Sequence, residues 1–215
     1  MQSLVYTEPV KKSLAQLTEN LDLADCIAVH VRRGNDVVGP LRDGVLSARQ
    51  RSEYLLCYAT KYVDISTYVR ALDEIGDRSK AFIFSNDASE REALATALHP
   101  RIAFTMDDFA DCTKHLNATQ IDFIEQLAMS RTRLVLAPRS NYSDYACLLG
   151  NIDLIEVQPW LQPALMFGLI ESTFEGAKDK QLVPDLLQIY CSLMAKQGRT
   201  EDAKLFAERA LQIDR

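Results

Sequence analysis

The stretch CIAVHVRRGNDVVGP (26–40) begins as an apolar run of strand-forming residues and closes on a histidine, two adjacent arginines, a glycine, an asparagine and an aspartate. A short apolar run bounded by turn-forming residues reads as a buried strand, and a strand ending in polar side chains presents them at one edge of a sheet. Alternation sends Ala28, His30 and Arg32 to one face and Val31 and Arg33 to the other. Neighbouring guanidiniums repel each other, so an anion, either a protein carboxylate or a ligand, is expected beside them. One arginine is then held from within while the other reaches a ligand. The planar fork of arginine suits a diphosphate, because it bonds two oxygens at once.

Outward from this strand the chain alternates. Further apolar runs AFIFS (81–85), RIAFT (101–105), RLVLA (133–137) and IDLIEV (152–157) are separated by helical stretches at 64–76, 88–98, 117–130 and 141–150. Strand and helix repeating in this order predict the α/β class, a mainly parallel sheet with helices on both faces. Upstream, TEPVKKSLAQLTENL (7–21) carries Thr7 as a cap, Pro9 in the first turn and apolar Val10, Leu14, Leu17 and Leu21 at helical spacing, so residues 1–24 read as an amphipathic N-terminal helix. Residues 25–160 form the predicted α/β domain. Within it, 38–63 shows no clear period and contains Gly39, Pro40 and Gly44; it reads as a long loop at a strand exit and as part of a ligand site.

Beyond Trp160 the chain turns all-helical, giving a C-terminal extension over 161–215. In LLQIYCSLMAKQGRTEDAKLFAERALQIDR (186–215), Gly198 reads as a helix C-cap and Thr200 as the next N-cap. Small Ala195, Ala203, Ala207 and Ala210 lie where two helices must approach closely. The segment 182–215 resembles one tetratricopeptide-type helical hairpin, which caps the domain or offers an edge for a protein partner or a second copy.

The 47% hydrophobic content of the 215 residues suffices for a sizeable core. A net charge of -6 and a pI near 5.1 argue against nucleic acid or an anionic membrane as a general partner, since both reward excess Lys and Arg. Any anion site is local. The five cysteines, Cys26, Cys57, Cys112, Cys147 and Cys191, are odd in number and form no CxxC pair, so they read as buried thiols of a reducing, cytoplasmic protein. Neither a signal segment nor a membrane-length apolar run is visible, and no metal site is expected.

Ligands of open α/β sheets collect outside the carboxyl ends of the strands, and three polar clusters fall at such ends. The first holds His30, Arg32, Arg33, Asn35 and Asp36; the second is Ser85-Asn86-Asp87; the third is Pro138-Arg139-Ser140-Asn141-Tyr142-Ser143. Taken alone, Asp87 is a helix N-cap, and Ser140 or Asn141 is another. A helix N-terminus rich in hydroxyls is equally a place for a phosphate.

In order, VHVRRGND (29–36), YVDISTYVRALDEI (62–75), FIFSND (82–87) and IDFIEQLAMSRTRLVLAPRSNYSDYACLL (121–149) make the sequence resemble the fucosyltransferases that share a HxRRxD-type motif. The likeness is strongest to the alpha-1,2 group and more distant to the alpha-1,6 and O-fucosyltransferases, over roughly residues 26–150. The resemblance implies a Rossmann-like donor lobe that binds GDP-fucose without a metal and transfers fucose, with inversion, to a glycan hydroxyl. It implies that His30 and Arg32 are catalytic, with Arg32 or Arg33 stabilising the charge that builds on the leaving diphosphate. Arg33, Asn35, Asp36, Ser85, Asp87 and Asn141 would line the donor, Asp122 would meet the guanine edge, and Ser140 and Ser143 would face the β-phosphate.

The sequence departs from that pattern at Asn35, where the family has aspartate, with Asp36 following one place later. An amide there holds an arginine only by neutral hydrogen bonds, unless a bulge lets Asp36 take over. The family's acceptor lobe is also not evident, and no general base for the acceptor hydroxyl can be named. The alternatives are a catalytically weak GDP-sugar-binding or scaffold domain whose helical tail docks a partner, and a related transferase using another nucleotide sugar.

Overall fold

A computed structural model describes residues 7–32, 35–76, 79–138 and 140–213, the side chains of Asn35 and Asp36 excepted. In chain order, the first elements are α1 (Glu8–Asn20), β1 (Cys26–His30), α2 (Asn35–Asp43), α3 (Ala48–Lys61), α4 (Ile65–Ile75) and β2 (Lys80–Phe84). They are followed by α5 (Ala88–Ala97), β3 (Ala103–Thr105), α6 (Ala110–Thr113), α7 (Ala118–Met129), β4 (Leu134–Ala137) and α8 (Asn141–Gly150). The chain continues through β5 (Asp153–Glu156), α9 (Pro163–Thr173), α10 (Leu182–Lys196) and α11 (Thr200–Ile213). Its contacts divide it into two compact units, Met1–Val31 with Ala71–Glu156, and Arg32–Arg70 with Val157–Arg215.

The first unit is the expected α/β fold, a Rossmann-like parallel sheet flanked by helices. Its five strands run in the order β3-β2-β1-β4-β5, and every neighbouring pair is parallel. RIAFT contributes only its last three residues as the short edge strand β3, and β5 forms the opposite edge with Asp153 and Glu156 exposed at its ends. Short edges, one of them closed at both ends by exposed carboxylates, discourage pairing with another chain. The central strand β1 is buried throughout, as a parallel strand covered on both faces must be. The register aligns Ala28 with Phe82 and with Val135, so Cys26, Ala28, Phe82, Phe84, Val135 and Ala137 share one face. That face packs on Val10, Leu14 and Leu17 of α1, Ile124 and Leu127 of α7, and Ala146 and Cys147 of α8. Burying each leucine there contributes roughly 1.5–3 kcal/mol.

Thr7 occupies the N-cap position of α1, but its side chain makes no capping hydrogen bond. Proline in the first turn and Glu8 against the positive end of the helix dipole start α1 instead.

The second unit is helical. Leu55, Tyr58, Ala59 and Tyr62 from the α3 region enclose a core with Met166 and Ile170 of α9, Leu186, Leu187, Tyr190 and Met194 of α10, and Ala203, Phe206 and Ala210 of α11. Tyr190 stacks on Phe206 with ring centroids 5.2 Å apart and an interplanar angle of 14°. Gly198, at φ +74°, turns the chain between α10 and α11, and its left-handed backbone is why glycine stands there. Thr200 is the first residue of α11 rather than a residue before it.

The segment 38–63 is not the loop expected from its composition. It contains most of α2 and all of α3, and α3 starts at a capping box in which Ser47 accepts from the Gln50 amide while the Gln50 side chain accepts from the Ser47 amide. Its arginines are engaged inside this unit. Arg51 pairs with Asp179 and Asp185, and Arg42 donates to the Glu175 carbonyl. The amphipathic signal lay at 55, 58, 59 and 62, where one face meets the core.

Candidate functional site

From β1 the chain steps to β2 and β3 on one side, then returns past β1 to β4 and β5 on the other. Reversal of strand order at β1 and β4 makes them the topological switch point, the place outside the strand ends where ligands of open α/β sheets collect. His30 ends β1 in register with Phe84, and Ala137 ends β4 one step beyond the Val29–Leu136 pair. Three polar clusters read from the sequence therefore leave adjacent strands β2, β1 and β4 at one edge of the sheet.

His30 is 4% exposed and lies against Tyr142 of α8, ring centroids 5.2 Å apart at 41°. Tyr142, a member of the third polar cluster with no role assigned to it from the sequence, joins three elements. Its amide donates to Ser140 Oγ at 3.2 Å, and its hydroxyl contacts the Asp122 carbonyl at 2.7 Å and Glu125 Oε2 at 3.3 Å. The start of α8 is thus clamped to α7 and set beside the end of β1.

Ser140 is the buried N-cap of α8. Its carbonyl accepts the hydroxyl of Ser143 at 3.0 Å; Ser143 is fully buried, so its hydroxyl serves the helix's first turn. Asn141 is exposed as the first residue of α8. At the end of β2, Ser85 Oγ accepts from the Asp87 amide at 3.2 Å, while Asp87 Oδ1 accepts from the Ser89 amide at 2.9 Å and from the Ser89 hydroxyl at 2.7 Å. Asp87 is the N-cap of α5.

Arg91 of α5 binds the Ser85 carbonyl at 2.6 Å through Nη1 and Asp107 at 2.7 Å through Nη2. It ties the end of β2 to the turn after β3. Asp122 is exposed on α7, and what it lends to the cluster is its backbone carbonyl. Glu125, one turn further along α7, is half-buried and was not anticipated. Burial first, then the neighbouring carboxylates Asp122 and Asp107, push its carboxyl up to about 7, against the lowering effects of the Tyr142 hydroxyl and Arg91. No local motif marks Glu125: the partner tyrosine stands 17 residues away.

In the second unit, Arg32 is half-buried and makes no hydrogen bond or ion pair with a described residue. Arg33 and the side chains of Asn35 and Asp36 lie outside the described residues.

Among the described residues no group of three or more His, Cys, Asp or Glu is arranged to hold a metal ion, and no helix is long and apolar enough to cross a membrane. No protein-family model matches this chain, and no curated protein matches it.

Proposed function

We propose that the chain is a fucosyltransferase-like glycosyltransferase whose parallel sheet binds GDP-fucose at the carboxyl ends of β1 and β4. The observation that carries this reading is the switch point. It places a buried histidine, the only strand-end ring of β1, beside the capped N-terminus of a ten-residue helix, α8. Backbone amides there and the helix dipole favour a diphosphate. The chemistry is a displacement: an acceptor hydroxyl attacks the anomeric carbon of fucose, the bond from that carbon to the diphosphate oxygen breaks, and its electron pair leaves with GDP while the hydroxyl proton passes to a base. The HVRR motif assigns Arg32 the growing charge on the leaving diphosphate, and a guanidinium with no described protein partner is suited to that task. The five free cysteines fit a reducing cytoplasmic setting.

A second reading, donor binding without transfer, is favoured by Asn35 in place of the motif's aspartate. In that case the C-terminal helices dock a protein partner or a second copy. Thermal-shift titration with GDP-fucose, GDP-mannose, GDP, UDP-glucose and ADP tests the first step. Stabilisation by the guanine nucleotides, lost in Arg32→Ala, is expected; stabilisation by ADP or UDP-glucose alone rejects the GDP reading. GDP binding with neither hydrolysis nor transfer of fucose across an acceptor panel selects the second.

A further inference from the structure

At Tyr142 two acceptors face one proton. The hydroxyl lies 2.7 Å from the Asp122 carbonyl oxygen and 3.3 Å from Glu125 Oε2. Tyrosine has a single O–H donor, and the shorter contact, to a carbonyl with no proton of its own, takes it. The longer contact to Glu125 is left with at most a share of that hydrogen, and a carboxyl that keeps its own proton completes it. Every element packed around Glu125 bears on that proton. Asp122 lies one turn earlier on the same helix, Asp107 approaches from the turn after β3, and Arg91 of α5 is already shared by Asp107 and the Ser85 carbonyl. His30 lies against the Tyr142 ring.

We propose that Glu125 is a proton-controlled gate on anion binding at the ends of β1 and β4: protonated, it donates to the Tyr142 hydroxyl oxygen; ionised, it sets a negative charge behind the tyrosine that starts α8 and packs on His30. The gate concerns anions in general, and it rests on the donor reading only for the identity of the ligand. A diphosphate bound at this edge is coupled to retention of the Glu125 proton, so its affinity falls as pH rises through the titration of that group. Burial and the neighbouring carboxylates place that titration at about 7. One added charge at this edge of the sheet, at an effective dielectric near 20, weakens anion binding by roughly tenfold.

The test uses the full chain and two probes, inorganic pyrophosphate for the gate and GDP for the donor reading, titrated calorimetrically at pH 6 and pH 8 on the wild type and Glu125→Gln. Glutamine mimics the protonated acid, since its amide can donate to the tyrosine oxygen. The ionisation of each probe is common to both proteins and cancels in the comparison. The expected result is affinity about tenfold lower at pH 8 in the wild type relative to Glu125→Gln, with near equality at pH 6. Alongside, carbon NMR of the glutamate carboxyls should show one resonance titrating near 7 that vanishes in Glu125→Gln; titration in the ordinary carboxylate range overturns the gate whatever either probe does. GDP binding with the same pH slope in both proteins also overturns the gate and leaves the donor reading standing. Pyrophosphate binding with the expected slope while GDP fails keeps the gate and rejects the donor reading, and failure of both probes rejects both.

Discussion

Gly150, the last residue of α8, abuts the carbonyl oxygen of Ser130, the residue that follows α7: a β-carbon built on the glycine would lie 1.9 Å from that oxygen. The contact is backbone against backbone, so no side-chain rotation relieves it. It lets the ends of two helices that pack on the same sheet face come together, while Asn151 at φ 51° turns the chain toward β5.

Gly150→Ala therefore destabilises the protein, by about 3 kcal/mol through forced separation of α7 and α8. In an open helix position the same substitution would stabilise by up to about 1 kcal/mol. Urea unfolding of the two proteins checks the sign, and a neutral or stabilising result shows that the Ser130 approach is not maintained.

Arg51 bridges Asp179 and Asp185, each about a third exposed or less. Burial lowers the arginine's proton affinity, but the hydrogen bonds and charges of Asp185 and Asp179 outweigh it, so the guanidinium is held above its ordinary range. Arg51→Ala leaves two carboxylates facing each other and costs about 1–2 kcal/mol near neutral pH, discounted for solvent screening. The loss should shrink in high salt. A loss independent of salt would assign the effect to packing of the arginine stem instead.

The strands of the first unit were legible because each is an apolar run closed by turn-forming residues, and CIAVH, AFIF and LVLA all lie within one residue of their expected limits. Their order was not, since it depends on pairings across the chain such as Ala28 with both Phe82 and Val135. The α2–α3 region was misread for a local reason. Gly39, Pro40 and Gly44 break the pattern at the point where Leu41 packs, and Arg51, in the stretch that read as part of a ligand site, answers carboxylates more than a hundred residues further on. At the candidate site the caps Asp87 and Ser140 were legible in the sequence, but the use of Ser143, whose buried hydroxyl serves the start of α8, was not. Glu125 was invisible because its burial and its partner Tyr142 exist only after folding.

Glu125 also sets a pH dependence of stability. Its carboxyl is raised in the folded state from 4.5 to about 7, so between these values the native state binds more protons than the unfolded chain. Stability from this group is accordingly full below about 4.5 and declines as pH rises to about 7. Glu125→Gln removes the decline while keeping a donor for the Tyr142 oxygen. At pH 8 the variant should be more stable than the wild type by about 1–2 kcal/mol, a figure reduced from the full linkage value because the group is only half-buried. At pH 4.5 the two should coincide. Paired unfolding curves at pH 4.5, 6 and 8 read the difference, and a constant offset across all three rejects the linkage.

In the second unit the hydroxyl of Tyr190 donates to the backbone carbonyl of Tyr62 at 3.0 Å, with both residues buried. Tyr62 ends α3 and stacks on Tyr58 at 4.1 Å, so the bond ties the close of one helix to the middle of α10. Two contributions meet in the same side chain: the ring fills the core against Phe206, and the hydroxyl answers a carbonyl near a helix end. Tyr190→Phe keeps the first and removes the second, leaving that carbonyl short of a donor, at a cost of about 1–2 kcal/mol. Tyr190→Ala loses both and should cost about 3–5 kcal/mol. The ratio between the variants is the informative quantity. If phenylalanine unfolds as late as the wild type, packing alone secures α10 against α3 and the hydrogen bond is dispensable; if it falls as far as alanine, the carbonyl's partner rather than the ring holds the two helices together.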